Sequence, residues 1–455
     1  MIIVQHSAAS LKRFIAKTAL KEFAMLMVMR VVLAFILHRG RMSCSSAASV
    51  IASESIHRGQ LTRFLARPRW QRDDFNAPLR AMVLEFESGT GKFIFIVDGT
   101  MISQSGTKTE NTYSTGNRQR RSIKKGFRYN KKKVRRKNVH SFTFGLLISP
   151  SGIRIPFKIP HYTKEYCEKT GHQHLTTAEA AAKMIRELPL PEEAEVLVLG
   201  DTAYDAESVR EACAQRSYKW IFPANAERVY EGPTGQRPKL RSRLKDWTGL
   251  SLKKIRLQAS TGKYAEYRRL SRWRVGPKQK PREYFAYQEK LEVRSVGYVQ
   301  LVFSTMKPEL KKATPDDVKI LMTNATDMSV SEVIEAYSVR WQIELFFKEL
   351  KSTLGLAQYP FEKFEAVQAW VNCAITTVLF LEYQRAKKLQ DGRLSDERCQ
   401  WWKAQRLHGL CEAFRQECNG EELKYLSARL KTSGGVKKLQ RLLTNALPKE
   451  FRAAA

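Results

Sequence analysis

Apolar positions along this chain change their spacing several times, and each change marks a different kind of element. Residues 11–21 have the spacing of an amphipathic helix, and residues 23–37 form an almost continuous apolar run. That run is fifteen residues long and contains Arg30, which makes it too short and too charged to span a membrane. No small-residue cleavage site follows it, so it does not resemble a signal peptide. Residues 47–53 and 60–65 predict two short helices joined through His57-Arg58-Gly59, with Arg63, Arg67, Arg69 and Arg72 on or after the second. A helix-turn-helix and a plain basic helical domain both account for that pattern.

Strand signals follow. A helix over residues 78–87 precedes GKFIFIVDGT, whose apolar run at 93–97 predicts a buried strand with Asp98 at its end. A carboxylate presented by the strand and one that caps a turn both fit Asp98. The runs VHSFTFGLLI and IRIPFKI flank Ser149-Pro150-Ser151-Gly152 and predict a hairpin. Thr176 and Glu179 form a capping box for a helix reaching about Leu188, stopped by Pro189 and Pro191. Residues 196–199 predict a second buried strand that delivers Asp201, with Asp205 as a nearby competitor; a helix over 206–216 and a strand over 218–222 come next. From Tyr230 to about Lys312 the runs LKKIRLQA, EYRRLSRWRV, REYFAYQEKLEV and GYVQLVF alternate as strands do. After Gly355 the pattern is helical, and Gln368, Asn372, Thr376 and Thr377 within residues 366–381 mark a core helix rather than a span.

One stretch combines an apolar and a polar face. YSVRWQIELFFKELKSTLGL, residues 337–356, predicts a helix on which Tyr337, Arg340, Glu344 and Lys351 fall within roughly 60° of one another. Val339, Ile343, Phe346, Phe347, Leu350 and Leu354 make the adjoining apolar face. An i,i+4 ion pair between Arg340 and Glu344 would by itself account for two of the polar positions.

Charge narrows the partner. The 455 residues include 79 Lys and Arg against 45 Asp and Glu, a net charge of +34, and such a field attracts polyanions. Twelve of the twenty residues from Arg118 to Lys137 are basic and none is acidic; Arg120, Arg121, Lys124, Lys125, Arg128, Lys131 and Lys132 lie in this run. Repulsion keeps such a segment extended until phosphates neutralise it, which points to a DNA-contact loop without an ordered frame for reading bases. Residues 230–312 hold 21 Lys or Arg against 7 Asp or Glu, and Trp273 within them can stack a base or fill a core. Seven cysteines, odd in number and without a Cys-x-x-Cys pair, fit a reducing compartment. Cys399, His408, Cys411 and Cys418 follow no common zinc spacing and are expected on helices.

The spacing Tyr-x2-Arg-x3-Glu-x6-Lys at Tyr337, Arg340, Glu344 and Lys351 resembles the signature of a group of bacterial insertion-sequence transposases, the IS-four type of the DDE superfamily. The resemblance implies an α/β core, an RNase H-like mixed sheet with flanking helices, in which two strand-borne aspartates join the glutamate. Asp98 and Asp201 supply them. It also implies a β-rich insertion between the second aspartate and the glutamate, and helical N- and C-terminal regions. The corresponding divisions are 1–75, 76–229, 230–315, 316–390 and 391–455. Asp98, Asp201 and Glu344 offer oxygen ligands only, which suits two Mg2+ or Mn2+ ions rather than zinc. The activity implied is hydrolysis that frees a 3′-hydroxyl, followed by transfer of that hydroxyl into target DNA, with Tyr337, Arg340 and Lys351 on the phosphates. Implied partners are double-stranded DNA, both terminal repeats and target, and a homodimer that brings two ends together; neither a membrane nor a small-molecule substrate is expected, and the location is cytoplasmic, at the nucleoid. Some relatives stack a flipped base on a tryptophan shortly before the glutamate helix, where this chain has VKILMTNAT with Ile320. Two alternatives stay open: a catalytically silent, transposase-derived DNA-binding regulator, and an RNase H-like nuclease without strand transfer.

Overall fold

The apolar run before Asp98 becomes an interior strand of a single sheet. A computed structural model describes residues 8–38, 42–50, 58–70, 75–87, 91–104, 108–115, 137–233, 235–244, 252–257, 262–268, 282–307, 317–359, 361–430 and 434. The strands are β1 (Lys92–Gln104), β2 (Tyr113–Thr115), β3 (Lys137–Ile148), β4 (Arg154–Pro160), β5 (Glu195–Leu199), β6 (Lys219–Pro223), β7 (Lys253–Leu257), β8 (Arg282–Val293), β9 (Gly297–Thr305) and β10 (Lys319–Thr323). Their order is β2-β3-β1-β5-β6-β10-β9-β8-β7, with β4 also on β3. Among the described residues, only β1 with β5 and β5 with β6 run parallel. This mixed sheet with flanking helices is consistent with an RNase H-like fold.

Two expectations about strands change. β1 does not stop at Asp98, because residues 99–104 go on pairing with β3 as far as Gln104 with Asn138. What ends near Asp98 is the parallel ladder to β5, whose last pair is Ile96 with Leu199. The basic strands β7, β8 and β9 continue the main sheet from β10. Within that region Ala265–Arg268 forms a short helix where a strand was expected, and Trp273 lies outside the described residues.

The helices are α1 (Ala9–Ala16), α2 (Glu22–Leu37), α3 (Cys44–Val50), α4 (Arg58–Ala66), α5 (Ala77–Leu84), α6 (Lys164–Thr170), α7 (Thr177–Arg186), α8 (Glu207–Gln215), α9 (Ala265–Arg268), α10 (Val330–Ser338), α11 (Trp341–Ser352), α12 (Phe364–Leu389), α13 (Asp396–Ala404) and α14 (Leu407–Leu430). The Thr176–Glu179 capping box starts α7 as expected. Of the turn expected at His57-Arg58-Gly59, Arg58 and Gly59 instead open α4, while His57 and Arg72 lie outside the described residues. Helix α12 is long and apolar enough to cross a membrane but is buried almost throughout. The N-terminal helices help to cover it: Phe35 packs on Trp370 at 4.8 Å, Phe14 packs on Phe380 at 5.6 Å, and the Arg415 guanidinium of α14 caps the Ile36 carbonyl of α2 at 2.6 Å.

Strand pairing assigns the faces. Cross-strand partners in a ladder point the same way. Asp98 therefore shares a face with Phe144, its partner on β3, and Phe144 meets the rings of Phe347 at 5.5 Å and Phe346 at 6.3 Å on α11. The opposite face carries Phe95 and Val97, and α7 covers it: a Cβ at Gly145 would collide with the Phe95 ring and come within 3.4 Å of Met184 Sδ.

A buried ionic cluster locks α11 and α12 to the sheet. Arg154 of β4 bonds Glu349 of α11 at 2.8 Å and Glu382 of α12 at 3.1 Å; Arg385 pairs with Glu382 and donates to the Gly152 carbonyl at 2.6 Å. Arg154, Glu382 and Arg385 are each no more than 1% exposed. Removing one member of such a cluster strands its partners' charge in a poorly solvated interior, at a cost of about 3–5 kcal/mol. Glu382→Ala is accordingly expected to lower unfolding free energy by about that amount in urea melts followed by circular dichroism. An unchanged midpoint would contradict the coupling.

Candidate active site

The register that joins β1 to β5 also brings two aspartates together. Asp98 and Asp201 each lie two residues past the last β1–β5 pair, Ile96 with Leu199, so both occupy the same face where the strands part at their carboxyl ends. Gly200 makes the second approach possible. A Cβ there would come within 2.9 Å of Tyr204 Cβ and 3.2 Å of Val97 Cγ2. Asp201 keeps an extended backbone and accepts from the Ala203 amide at 2.9 Å, capping a short 3-10 turn. Asp205, the competitor, is held in buried ion pairs with Arg210 at 2.6 Å and Arg228, which account for its charge structurally.

Glu344 comes from the other direction. The stretch expected to be one helix is two, because Val339, Arg340, Gln342 and Ile343 all donate to carbonyls three residues back rather than four. This tighter turn separates α10 from α11. Tyr337 thus lies in the last turn of α10, Arg340 sits at the junction, and Glu344 occupies the first turn of α11. The Ser329–Glu332 capping box sets the start of α10; backbone and Lys263 hydrogen bonds hold the Glu332 carboxyl down to about 2.

Arg340 links the acids. Its guanidinium bonds Glu344 Oε1 at 2.6 Å and Asp98 Oδ2 at 3.4 Å. The Tyr337 hydroxyl donates to the Gly200 carbonyl at 3.4 Å, tying α10 to the residue before Asp201. Asp98 and Arg340 side chains are 18% and 15% exposed, against 33% for Glu344, so Glu344 forms the open side. Burial, aided by the charges of Asp201 and Glu344 and opposed by the Gly99 amide and Arg340, raises the Asp98 carboxyl to about 6. The three acids therefore sense one another. Among the described residues, no three His, Cys, Asp or Glu side chains stand close enough to share a metal ion as placed, and Arg340 fills the space between Asp98 and Glu344.

Lys351 lies apart from this cluster. It is seven residues beyond Glu344, about 10 Å along the helix, and its ammonium bonds the Met101 carbonyl of β1 at 3.1 Å. A cation not singled out from the sequence takes the nearer position: Lys319, the first residue of β10, stands 4.6 Å from the Tyr337 ring. Desolvation, then Arg340, lowers the Lys319 ammonium, while Glu344 and Asp201 act against that shift. Its only sequence signal was a lysine opening an apolar strand. Ile320 beside it is buried and offers no surface for stacking. Arg120, Arg121, Lys124, Lys125, Arg128, Lys131 and Lys132 lie outside the described residues.

The crowding has a measurable consequence. A carboxyl raised to about 6 from an ordinary 3.8 binds its proton more tightly in the folded chain. Stability from this group is therefore full below about pH 4 and lost as pH rises through 6, an effect on the order of 3 kcal/mol. Asp98→Asn, which mimics the protonated form, should raise the melting temperature in EDTA at pH 7.5 and give no gain at pH 4. A lower melting temperature at pH 7.5 would show that attraction to Arg340 outweighs the repulsion.

Two protein-family models match the chain, and each spans one part of this arrangement. The transposase DDE domain matches residues 169–380, a span that includes Asp201 and Glu344. The DDE superfamily endonuclease matches residues 27–245, a span that includes Asp98 and Asp201. No curated protein matches the chain. The two spans overlap at Asp201, and over them the chain is similar to DDE-superfamily transposase and endonuclease domains.

Proposed function

We propose that the chain is a cut-and-paste DNA transposase of the IS-four type, with Asp98, Asp201 and Glu344 as its catalytic acids. The observation that carries this reading is that Arg340 bonds both Asp98 of β1 and Glu344 of α11, with Asp201 at the end of β5 near enough to act on the Asp98 carboxyl. Their donor set is all oxygen and their mutual repulsion favours a cation among them, which fits Mg2+ or Mn2+. Two such ions, when bound by these acids, supply a Lewis acid for the attacking oxygen and another for the leaving oxygen of a phosphodiester.

The chain's own side chains do the rest. Arg340 moves its hydrogen bonds from Glu344 and Asp98 to a phosphate of the cleaved strand, as a planar guanidinium is suited to do. Tyr337 holds α10 against Gly200 and so keeps Glu344 facing the aspartates. Lys351 and Lys319 give positive potential on either side of the pocket, and the basic run containing Arg120, Arg121, Lys124, Lys125, Arg128, Lys131 and Lys132 binds the duplex backbone. Double-stranded terminal repeats and target DNA are the substrates, and a homodimer holds two ends at once. Such a protein works at the nucleoid.

Incubation of the protein with Mg2+, labelled terminal DNA of its element and a supercoiled target tests the reading. Wild type is expected to join ends to target, and Glu344→Gln to bind ends while losing at least about a thousandfold in both cleavage and joining. Cleavage without joining would favour a nuclease, and binding without either step a silent regulator in which Arg340 permanently neutralises the acids.

A further inference from the structure

A second site lies beyond the acids, in a cleft of about 1580 Å3. It is lined by the end of α4, the start of α5, residues 108–112, the end of β4, α6 and α12, and none of Asp98, Asp201 or Glu344 reaches it. The volume exceeds the roughly 300–1,000 Å3 of small-molecule pockets, which favours a polymer. Eight Lys or Arg side chains line the cleft against three glutamates. Lys363 spends its charge on Glu110 at 2.7 Å, and Arg80 lies over the Phe157 ring at 4.6 Å. Arg67, Arg69, Lys108 and Lys169 are exposed, and no carboxylate pairs with them among the described residues.

The lining also carries rings. Tyr162 and Tyr166 stack at 5.7 Å with 4° between their planes, Phe364 backs both edge-on, and exposed His172 lies 4.5 Å from Tyr162. Cations beside a supported aromatic cluster, in a cleft too large for a small ligand, match the needs of a single nucleic-acid strand: charge for phosphates and flat surface for bases. The edge of the cleft lies near the acids in the sheet, with the Phe144 ring and the α11 rings packed on it standing between them. Asp98 pairs with Phe144, and Phe144 pairs with Lys158, a cleft residue, so two strand spacings of about 4.8 Å separate Lys158 from Asp98 in the sheet.

We propose that this cleft binds single-stranded DNA, with phosphates at Arg67, Arg69, Lys108 and Lys169 and a base against Tyr162 and His172. Resting on the transposase reading, it would hold the strand that continues past the phosphate being cut.

The test uses the full chain in EDTA with a fluorescein-labelled fifteen-nucleotide oligothymidylate and a duplex of equal length, followed by anisotropy between 50 and 300 mM salt. Lys108→Glu/Lys169→Glu is expected to weaken single-strand binding at least about tenfold and to lower the salt slope by about 1.4, near 0.7 per lost phosphate contact. The duplex should lose less. Lys108→Arg/Lys169→Arg should restore both affinity and slope, and circular dichroism checks that all forms fold alike. Equal binding and slope for wild type and the Glu variant would overturn the cleft as a DNA site, and a loss confined to duplex would overturn the single-strand assignment. Nicking in Mg2+ or Mn2+ by the same preparations reports separately on the proposed function: a strand-binding cleft in a protein that cuts nothing removes the transposase reading and leaves the cleft standing.

Discussion

Burial of the Asp98 carboxylate beside two other acids is the constraint that this site answers. Asp98 would ionise near 4 in water, yet burial and two neighbouring acids raise it to about 6. The fold withstands that cost through three devices. Parallel β1–β5 pairing carries both aspartates to equivalent positions, Gly200 lets the second strand turn close to Val97 and Tyr204, and Arg340 supplies one cation shared by Asp98 and Glu344. A site built this way binds positive charge readily, because each added cation relieves strain already present.

Holding α11 in place needs more than the apolar face that its sequence shows. Phe346 and Phe347 seat it on Phe144, but the orientation of Glu344 also depends on Glu349, five residues along, which reaches Arg154 inside the ionic cluster with Glu382 and Arg385. The polar bonds are directional where ring packing is not, so they fix rotation about the helix axis. A chain with net charge +34 thus keeps Arg154, Glu382 and Arg385 in its interior, where with Glu349 they orient the helix that carries an acid to the surface.

The sequence made some of this legible and hid the rest for physical reasons. Short apolar runs before Asp98 and Asp201 revealed both strands, because a strand buried on two faces must be continuously apolar. The Thr176 box and the hairpin around Gly152 were equally plain, since caps and turns are local. The break at Val339–Arg340 was not, because no proline or glycine marks it and it consists only of shortened hydrogen bonds. Nor could β7–β9 be seen to join the main sheet, as that depends on which edge is left for β10 to pair with. Lys319, Glu349 and Arg154 take their roles from partners 18 to 228 residues away, and hydrophobic periodicity carries no information at that range.

Iron-directed cleavage of the protein itself tests most directly whether Asp98, Asp201 and Glu344 form one cation pocket. Fe2+ bound there in place of Mg2+ reduces added hydrogen peroxide to hydroxyl radicals that cut nearby backbone, and ascorbate returns the resulting Fe3+ to Fe2+. The account predicts three sets of fragments, ending close to residues 98, 201 and 344, all suppressed together by excess Mg2+ and absent in Asp201→Asn. Cuts near only one of these positions, or a pattern unaffected by Mg2+, would contradict a shared site.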